Sequence, residues 1–354
     1  MMTSRFLPLS VFALAAAAHA GQPVSEMVMP EPTSPWRFGI GGAQILGIKT
    51  DFTRLGTFQS SFTPQPLGGT VNRDYDDGFV HIDSSGNLGN ATTNWSYNNA
   101  SQYNPAGTGS INYSITNSRA TGSAREDGGA NPGVDLFAYR DMGPVGFSGL
   151  DGHKATWGFR AGLMYSHLGI SNHDAVFTGL TTVTDSFDLG GTIPPQAPYT
   201  GSFNGPGPLL GDQPIRTISN GGTGFVTGSR ELDVNLAVLS FGPYLEIPIT
   251  DKFDVLLEAG ISLGWADGDY EMHSATTVTG LGTQTSNGRG SKSDFLPGFY
   301  LGATADWKVN SDWSVLFGGR YQYLSQFDVT AGGSEASLSF DSAFVISLGV
   351  AYTF

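Results

Sequence analysis

The sequence predicts an all-β fold, a transmembrane antiparallel up-and-down β-barrel, and three observations carry that prediction. Strand-length segments place an apolar side chain at every second position, opposite small or polar ones, so each strand has one greasy face. No stretch beyond residue 20 stays apolar for the about 18 residues that a membrane helix needs. Short polar turns alternate with long loops rich in Gly, Pro and Asn, the asymmetry of a barrel that crosses a bilayer.

Composition narrows the class further. The chain has 354 residues with 50 Gly, 23 Phe, 13 Tyr, no Cys, 14% charged residues and a net charge of -14. Without disulfides, stability has to come from backbone pairing and packing. The acidity excludes a nucleic-acid partner, which would call for clustered Lys and Arg, and points to solvated, charge-bearing loops. Residues 1–20 read as a signal peptide, with Arg5 in the basic region, an apolar run from Phe6 to Ala18 and an Ala18-His19-Ala20 cleavage site. Residues 21–35, with Pro23, Pro30, Pro32 and Pro35, read as a flexible periplasmic leader, and 36–354 as a single barrel domain.

The first strand is expected from Trp36 to about Phe52, with a bulge at Gly41-Gly42. Residues 55–131 and 190–222 are expected to be largely extracellular loops. The first carries polar groups on both faces, and the second holds six prolines. Between and after them, Trp157 to Tyr165, Leu232 to Val238, Leu245 to Ile249, Phe253 to Trp265, Phe299 to Trp307 and Trp313 to Phe317 alternate as apolar faces. A bulge at Gly242-Pro243 would explain the phase slip between the second and third of these. The convincing faces predict eight strands; counting the patches near 71–82 and 111–119 gives ten, and 10–12 is the alternative range. Trp36, Phe253, Trp307, Trp313, Tyr352 and Phe354 would form a girdle beside the short turns; Trp265, Tyr270, Tyr323, Phe327 and Phe340 would form the outer one.

The last strand ends on Phe354, and Ile346, Leu348, Val350, Tyr352 and Phe354 share one face. This ending resembles the C-terminal signal of bacterial outer-membrane β-barrels, of the small OmpA-like and porin-like class whose functions are unassigned. The resemblance implies a Gram-negative cell outer membrane, with its lipids, lipopolysaccharide and barrel-assembly machinery as partners, the last reading the C-terminal strand. Arg73-Asp74-Tyr75-Asp76-Asp77-Gly78-Phe79-Val80 and Asn94-Trp95-Ser96-Tyr97-Asn98-Asn99-Ala100-Ser101-Gln102 also resemble a segment found in a subset of such proteins.

No chemistry-bearing motif emerges. The chain lacks G-x-S-x-G, H-E-x-x-H and G-x-x-x-x-G-K patterns. No catalytic, cofactor or metal residue is therefore assigned, and no enzyme activity is expected. His167, His173 and Asp174 are the best candidates for a polar site, against a solvated loop. Asp83-Ser84-Ser85-Gly86-Asn87 reads as a polar turn, a calcium site at Asp76, Asp77 and Asp83 being the alternative. Tyr75, Phe79, Trp95, Tyr97 and Tyr103 are expected to pack a lid rather than stack on a sugar.

Opposite the lipid face, alternation places Arg37, Arg160 and Arg320 with Glu246, Asp254, Glu258 and Asp306 in one lumen. In an eight-stranded barrel, just wide enough for side chains to fill, these charges are expected to pair and close it. The expected role is structural or surface-interacting. A passive channel for small solutes is the alternative, and a barrel enzyme a third reading.

Overall fold

The computed structural model describes residues 36–150 and 152–354; the expected signal peptide and leader lie outside the described residues. Twelve strands build the barrel and its upper half. They are β1 (Trp36–Leu46), β2 (Lys49–Leu55), β3 (Gly122–Asp127), β4 (Asn131–Ser148), β5 (Lys154–Asn172) and β6 (Thr223–Thr250), then β7 (Phe253–Val278), β8 (Gly282–Lys308), β9 (Trp313–Leu324), β10 (Phe327–Ala331), β11 (Ser334–Ser339) and β12 (Phe344–Thr353).

Eight of these close into an antiparallel ring in the order β5-β4-β1-β12-β9-β8-β7-β6, with β6 returning to β5. Closure pairs the backbone groups all the way round, the condition for spanning a bilayer with strands. Trp36, Phe253, Trp307, Trp313 and Phe354 are exposed on the outside at the short-turn end. Above them Ile40, Leu136, Leu163, Leu239, Leu263, Leu301, Phe317 and Leu348 continue the outward apolar belt. The C-terminal β12 sits between β1 and β9, with Phe38 opposite Tyr352 and Phe317 opposite Leu348.

The upper half departs from a plain cylinder. β6, β7 and β8 run for 28, 26 and 27 residues, far more than the roughly 10 that a tilted strand needs to cross a bilayer. The four ring strands opposite them stop early, and each is followed or preceded by a strand of a second sheet, ordered β3-β2-β11-β10. β1 leads to β2, β3 to β4, β9 to β10 and β11 to β12, so this sheet keeps the order β4-β1-β12-β9 of the ring below it. Half of the barrel wall thus bends inward at one level and lies against the long strands. Gly47 makes one of the bends at φ 74, where a Cβ would lie 2.3 Å from the Ser342 carbonyl oxygen. Side-chain-free, left-handed backbone is the only fit there.

The space between the bent sheet and the long wall is an apolar core. Phe52, Phe327, Val329, Ala336, Leu338 and Phe340 meet Leu168, Leu232, Val234, Leu236, Tyr270 and Leu296, all nearly inaccessible.

Several expectations change as a result. The first strand ends at Leu46 rather than near Phe52, and pairing runs without a bulge through Gly41 and Gly42. Nor does the register slip at Gly242-Pro243: Phe241 pairs with Ile261 and Tyr244 with Glu258, in one unbroken phase. Leu232, Val234, Leu236 and Val238 are inward residues of the upper core, whereas Leu239 and Phe241 face out. Of the expected outer girdle Trp265 is exposed, but Tyr270, Phe327 and Phe340 are buried in that core. The first strand ends at the bend of Gly47, and the other changes share one cause: a period of two marks a strand but does not say which face is inside once the interior itself is apolar.

The segments 56–121 and 173–222 form a subdomain at the long-loop end, joined to the sheet of β6 where Val176–Gly179 pair with Thr223–Val226. Its core joins Trp95, Tyr97, Tyr113, Ile115, Phe187 and Leu210. The patch Ile111 to Ile115 belongs here, paired with Val183 to Phe187, and not to the ring. Residues 122–127, within the expected first loop, are β3 of the bent sheet.

If the bent sheet is a packed wall, Leu338→Ala should cost ~2–5 kcal/mol, as for other buried Leu truncations. Leu348→Ala on the lipid face should cost far less, since acyl chains are as apolar as Leu. Urea unfolding of protein refolded in vesicles measures both, and equal losses would contradict the assignment of faces.

Candidate functional site

Below the apolar core the interior becomes polar, and the ring positions each charged group by simple alternation. Arg37 on β1 reaches Glu246 on β6 and Asp306 on β8, each at 2.5 Å. Arg160 on β5 lies 3.0 Å from Asp135 on β4 and 3.4 Å from Glu258 on β7. Arg320 on β9 shares Asp135 at 3.1 Å, and Lys308 reaches Asp254 at 2.6 Å. All seven charged residues expected in the lumen are therefore inside, in two groups rather than one network. Arg37, Glu246, Asp254, Asp306 and Lys308 lie toward the short turns; Arg160, Arg320, Asp135 and Glu258 lie above them.

Neutral donors add to the arrangement. Tyr139 donates to Glu258 Oε1 at 2.7 Å, Thr304 to the same oxygen at 3.1 Å, and Tyr244 to Asp141 Oδ1 at 2.6 Å. Arg160 donates to Ser240 Oγ at 3.1 Å. The guanidiniums also lie over aromatic faces, Arg37 over Tyr139 at 5.1 Å and Arg160 over Phe137 at 5.8 Å. Such contacts suit a cation that has left water. The space left among Asp135, Arg160, Glu258 and Arg320 is about 20 Å³, room for about one water.

Among the members of this interior missed from sequence are Asp135, Asp141, Lys308, Tyr139 and Tyr244. Asp135 and Tyr139 lie on β4, a strand outside the faces expected from sequence. Lys308 follows the outward Trp307, so alternation alone would have placed it inside.

The other candidates are not assembled into a site. His167 is on the outer wall, with Nδ1 3.2 Å from Asn235 Oδ1, while the Asp174 carboxylate accepts from Asn172. Asp83 does not hold out free oxygens for a cation: it accepts from Ser85 N at 2.9 Å, Ser85 Oγ at 2.5 Å and Thr93 N at 3.1 Å. The Ser85 hydroxyl above all, with these backbone donors, holds its carboxyl below the usual range. Asp76 and Asp77 are likewise engaged, by Thr116 N and by Ser114 N and Oγ. Burial pushes the Asp77 carboxyl up. No metal-holding group of His, Asp and Glu is present among the described residues.

The Arg73 and Asn94 segments act as framework of the outer subdomain. Arg73 is buried and donates to the carbonyls of Pro66, Leu67, Gly69, Val71 and Asp212. Trp95 is inaccessible and donates to Pro208 O at 2.8 Å. Tyr75 donates to Asp185, which Arg216 also holds through two bonds of 2.7 Å. Tyr75, Trp95 and Tyr97 are thus lid packing, as expected, and Phe79 stacks on His81.

No family model matches the chain, and no curated protein sequence matches it. Among solved structures it is similar to the outer membrane protease OmpT of Escherichia coli, at 10% identity over 91% of this chain and 97% of that one, with a TM-score of 0.33. A FadL homologue of Pseudomonas aeruginosa follows at 10% identity, 90% of each chain and a TM-score of 0.19. An outer membrane protein OmpT of Vibrio cholerae follows at 9% identity, 89% and 98% coverage and a TM-score of 0.13. At such values nothing about activity passes to this chain. The closed ring, the outward apolar belt and the aromatic residues beside the short turns decide the class. The chain has the fold of an outer-membrane β-barrel.

Removing one member of a buried ion group leaves its partners charged and unpaired, at a cost of ~3–5 kcal/mol. Arg160→Ala should lose about that much in urea unfolding. The fourfold change Arg160→Met, Asp135→Leu, Glu258→Gln, Arg320→Met should recover a large part, because it removes every charged member of that group. Unchanged stability of Arg160→Ala would show that these charges are hydrated.

Proposed function

We propose that this protein is an eight-stranded barrel that does not conduct, with a structural or surface-interaction role carried by the subdomain at its long-loop end. The reading is non-enzymatic: the interior charges are spent on one another. One observation carries it most: two different fillings lie in series along the lumen, paired charges below and an apolar core above. A solute path would have to breach both. A porin needs the reverse, a wide polar bore lined by charges that water can reach. The remaining area of interest is the outer subdomain, whose own core and buried Arg73 and Asp185 anchors make it a fixed platform.

Planar-bilayer recording of refolded protein tests this. Wild type should show no steady conductance. Arg160→Ala should stay closed, because the apolar core above the substituted site remains. Replacing residues 326–342 with a short Gly-Ser linker together with Arg160→Ala should admit ions. Stable wild-type conductance would overturn the reading in favour of a channel.

A further inference from the structure

At the short-turn end the outward face carries an arginine that the interior does not use. Arg140 lies on β4 with the parity of Leu136 and Ala138, so it points away from the lumen. It is exposed, and it forms no ion pair with a carboxylate among the described residues. Its backbone partner is Trp36 at the short-turn girdle, and its guanidinium carbon sits 5.1 Å from that indole centroid. An arginine at this level meets lipid on one side, where an unpaired charge is disfavoured, and headgroups on the other.

One row farther into the belt the wall is hollow. Phe38 pairs with Ala138, Ala138 with Ala161, and Ala161 with Phe241. Two small side chains on neighbouring strands therefore lie between two large exposed rings, and the groove there measures ≈ 710 Å³ with an almost wholly apolar lining. Arg140 stands two residues along β4 from Ala138, on the same outward face. Stacking of Trp36 on Phe38, centroids 5.7 Å apart and planes at 13°, makes a stiff flank along the same line.

We propose that Arg140 and this groove form a seat for one glycerophospholipid of the leaflet at the short-turn end. The guanidinium takes the phosphate through charge-assisted hydrogen bonds, the Trp36 ring supports it from beneath, and one acyl chain lies over Ala138 and Ala161 between Phe38 and Phe241. The position supplies the occupant: the groove is lined by residues of the outward belt such as Leu136, Leu163 and Leu239, and Arg140 stands at the level of Trp36 beside the short turns. The seat rests on the membrane-spanning reading but not on whether the lumen conducts.

Native mass spectrometry tests it on the full chain refolded into vesicles of phosphatidylethanolamine and phosphatidylglycerol, then released into a mild detergent. Wild type should retain one phospholipid. Arg140→Gln should lower that retention by roughly tenfold, the loss of a charged hydrogen bond, with Arg140→Lys in between. Ala161→Phe, which fills the groove, should also abolish it, and Ala138→Leu serves if that variant does not fold. Equal retention in wild type and variants, a wild type without lipid, or a bound detergent or second protein copy in the lipid's place would overturn the seat. Protease protection in the same vesicles separates the two levels: a protected but lipid-free protein defeats the seat alone, whereas an unprotected one defeats the membrane reading beneath it.

Discussion

Closure of a small ring is the constraint from which the rest follows. A strand in a bilayer has no water to satisfy its backbone, so the sheet has to return to its own first strand, and here β6 does so on β5. A ring of eight strands encloses a bore about as wide as the side chains that point into it. Those side chains then have to pack, and a charge placed there has to find its counter-charge at short range. Gly39 illustrates the crowding: a Cβ at that position would fall 2.2 Å from the Phe137 ring. The ring bond pattern thus dictates the ion groups, not the reverse.

Above the bilayer the same constraint lapses, and the wall responds. Once water can reach the outside, half of the strands are free to bend, and burial of apolar surface draws them against β5 to β8. The bent sheet brings Phe52, Leu338 and Phe340 onto Leu232 and Leu236, replacing a water-filled mouth with a two-layer core. The hinge line is tied sideways as well as along the chain. Ser342 donates to Gly47 O at 2.7 Å, and Gly128 N to Ile48 O at 2.9 Å, so the bends share one lateral band of bonds. The outer subdomain begins only beyond this, with a core of its own.

How far the sequence could be read depends on the kind of signal each part leaves. Strands that touch lipid on one side and charge on the other, such as Phe253 to Trp265 with Asp254 and Glu258, declare both period and face. Their interior residues were legible as a set for that reason. The segment Leu232 to Val238 carries the same period with the opposite face, because its inside is apolar and its outside, with Glu231 and Asp233, is wet. Gly47 looks like any other glycine in a strand until the carbonyl of Ser342, almost three hundred residues away in sequence, is seen against it. The pairing partners were less legible than the membership: Arg160 finds Asp135, which sequence reasoning had not placed in the lumen, and Asp254 finds Lys308. Long-range register decides such pairs, and a single strand's pattern does not contain it.

The central claim is that half of the wall folds inward and packs, sealing the barrel from above. Amide hydrogen exchange on vesicle-embedded protein addresses it directly, because protection reports burial and bonding of the backbone locally. The account predicts that the amides of Phe52, Ala336 and Leu338 exchange about as slowly as those of Val345 and Ser347 in the ring. Exchange of 49–55 and 334–339 as rapid as that of open loops would contradict it.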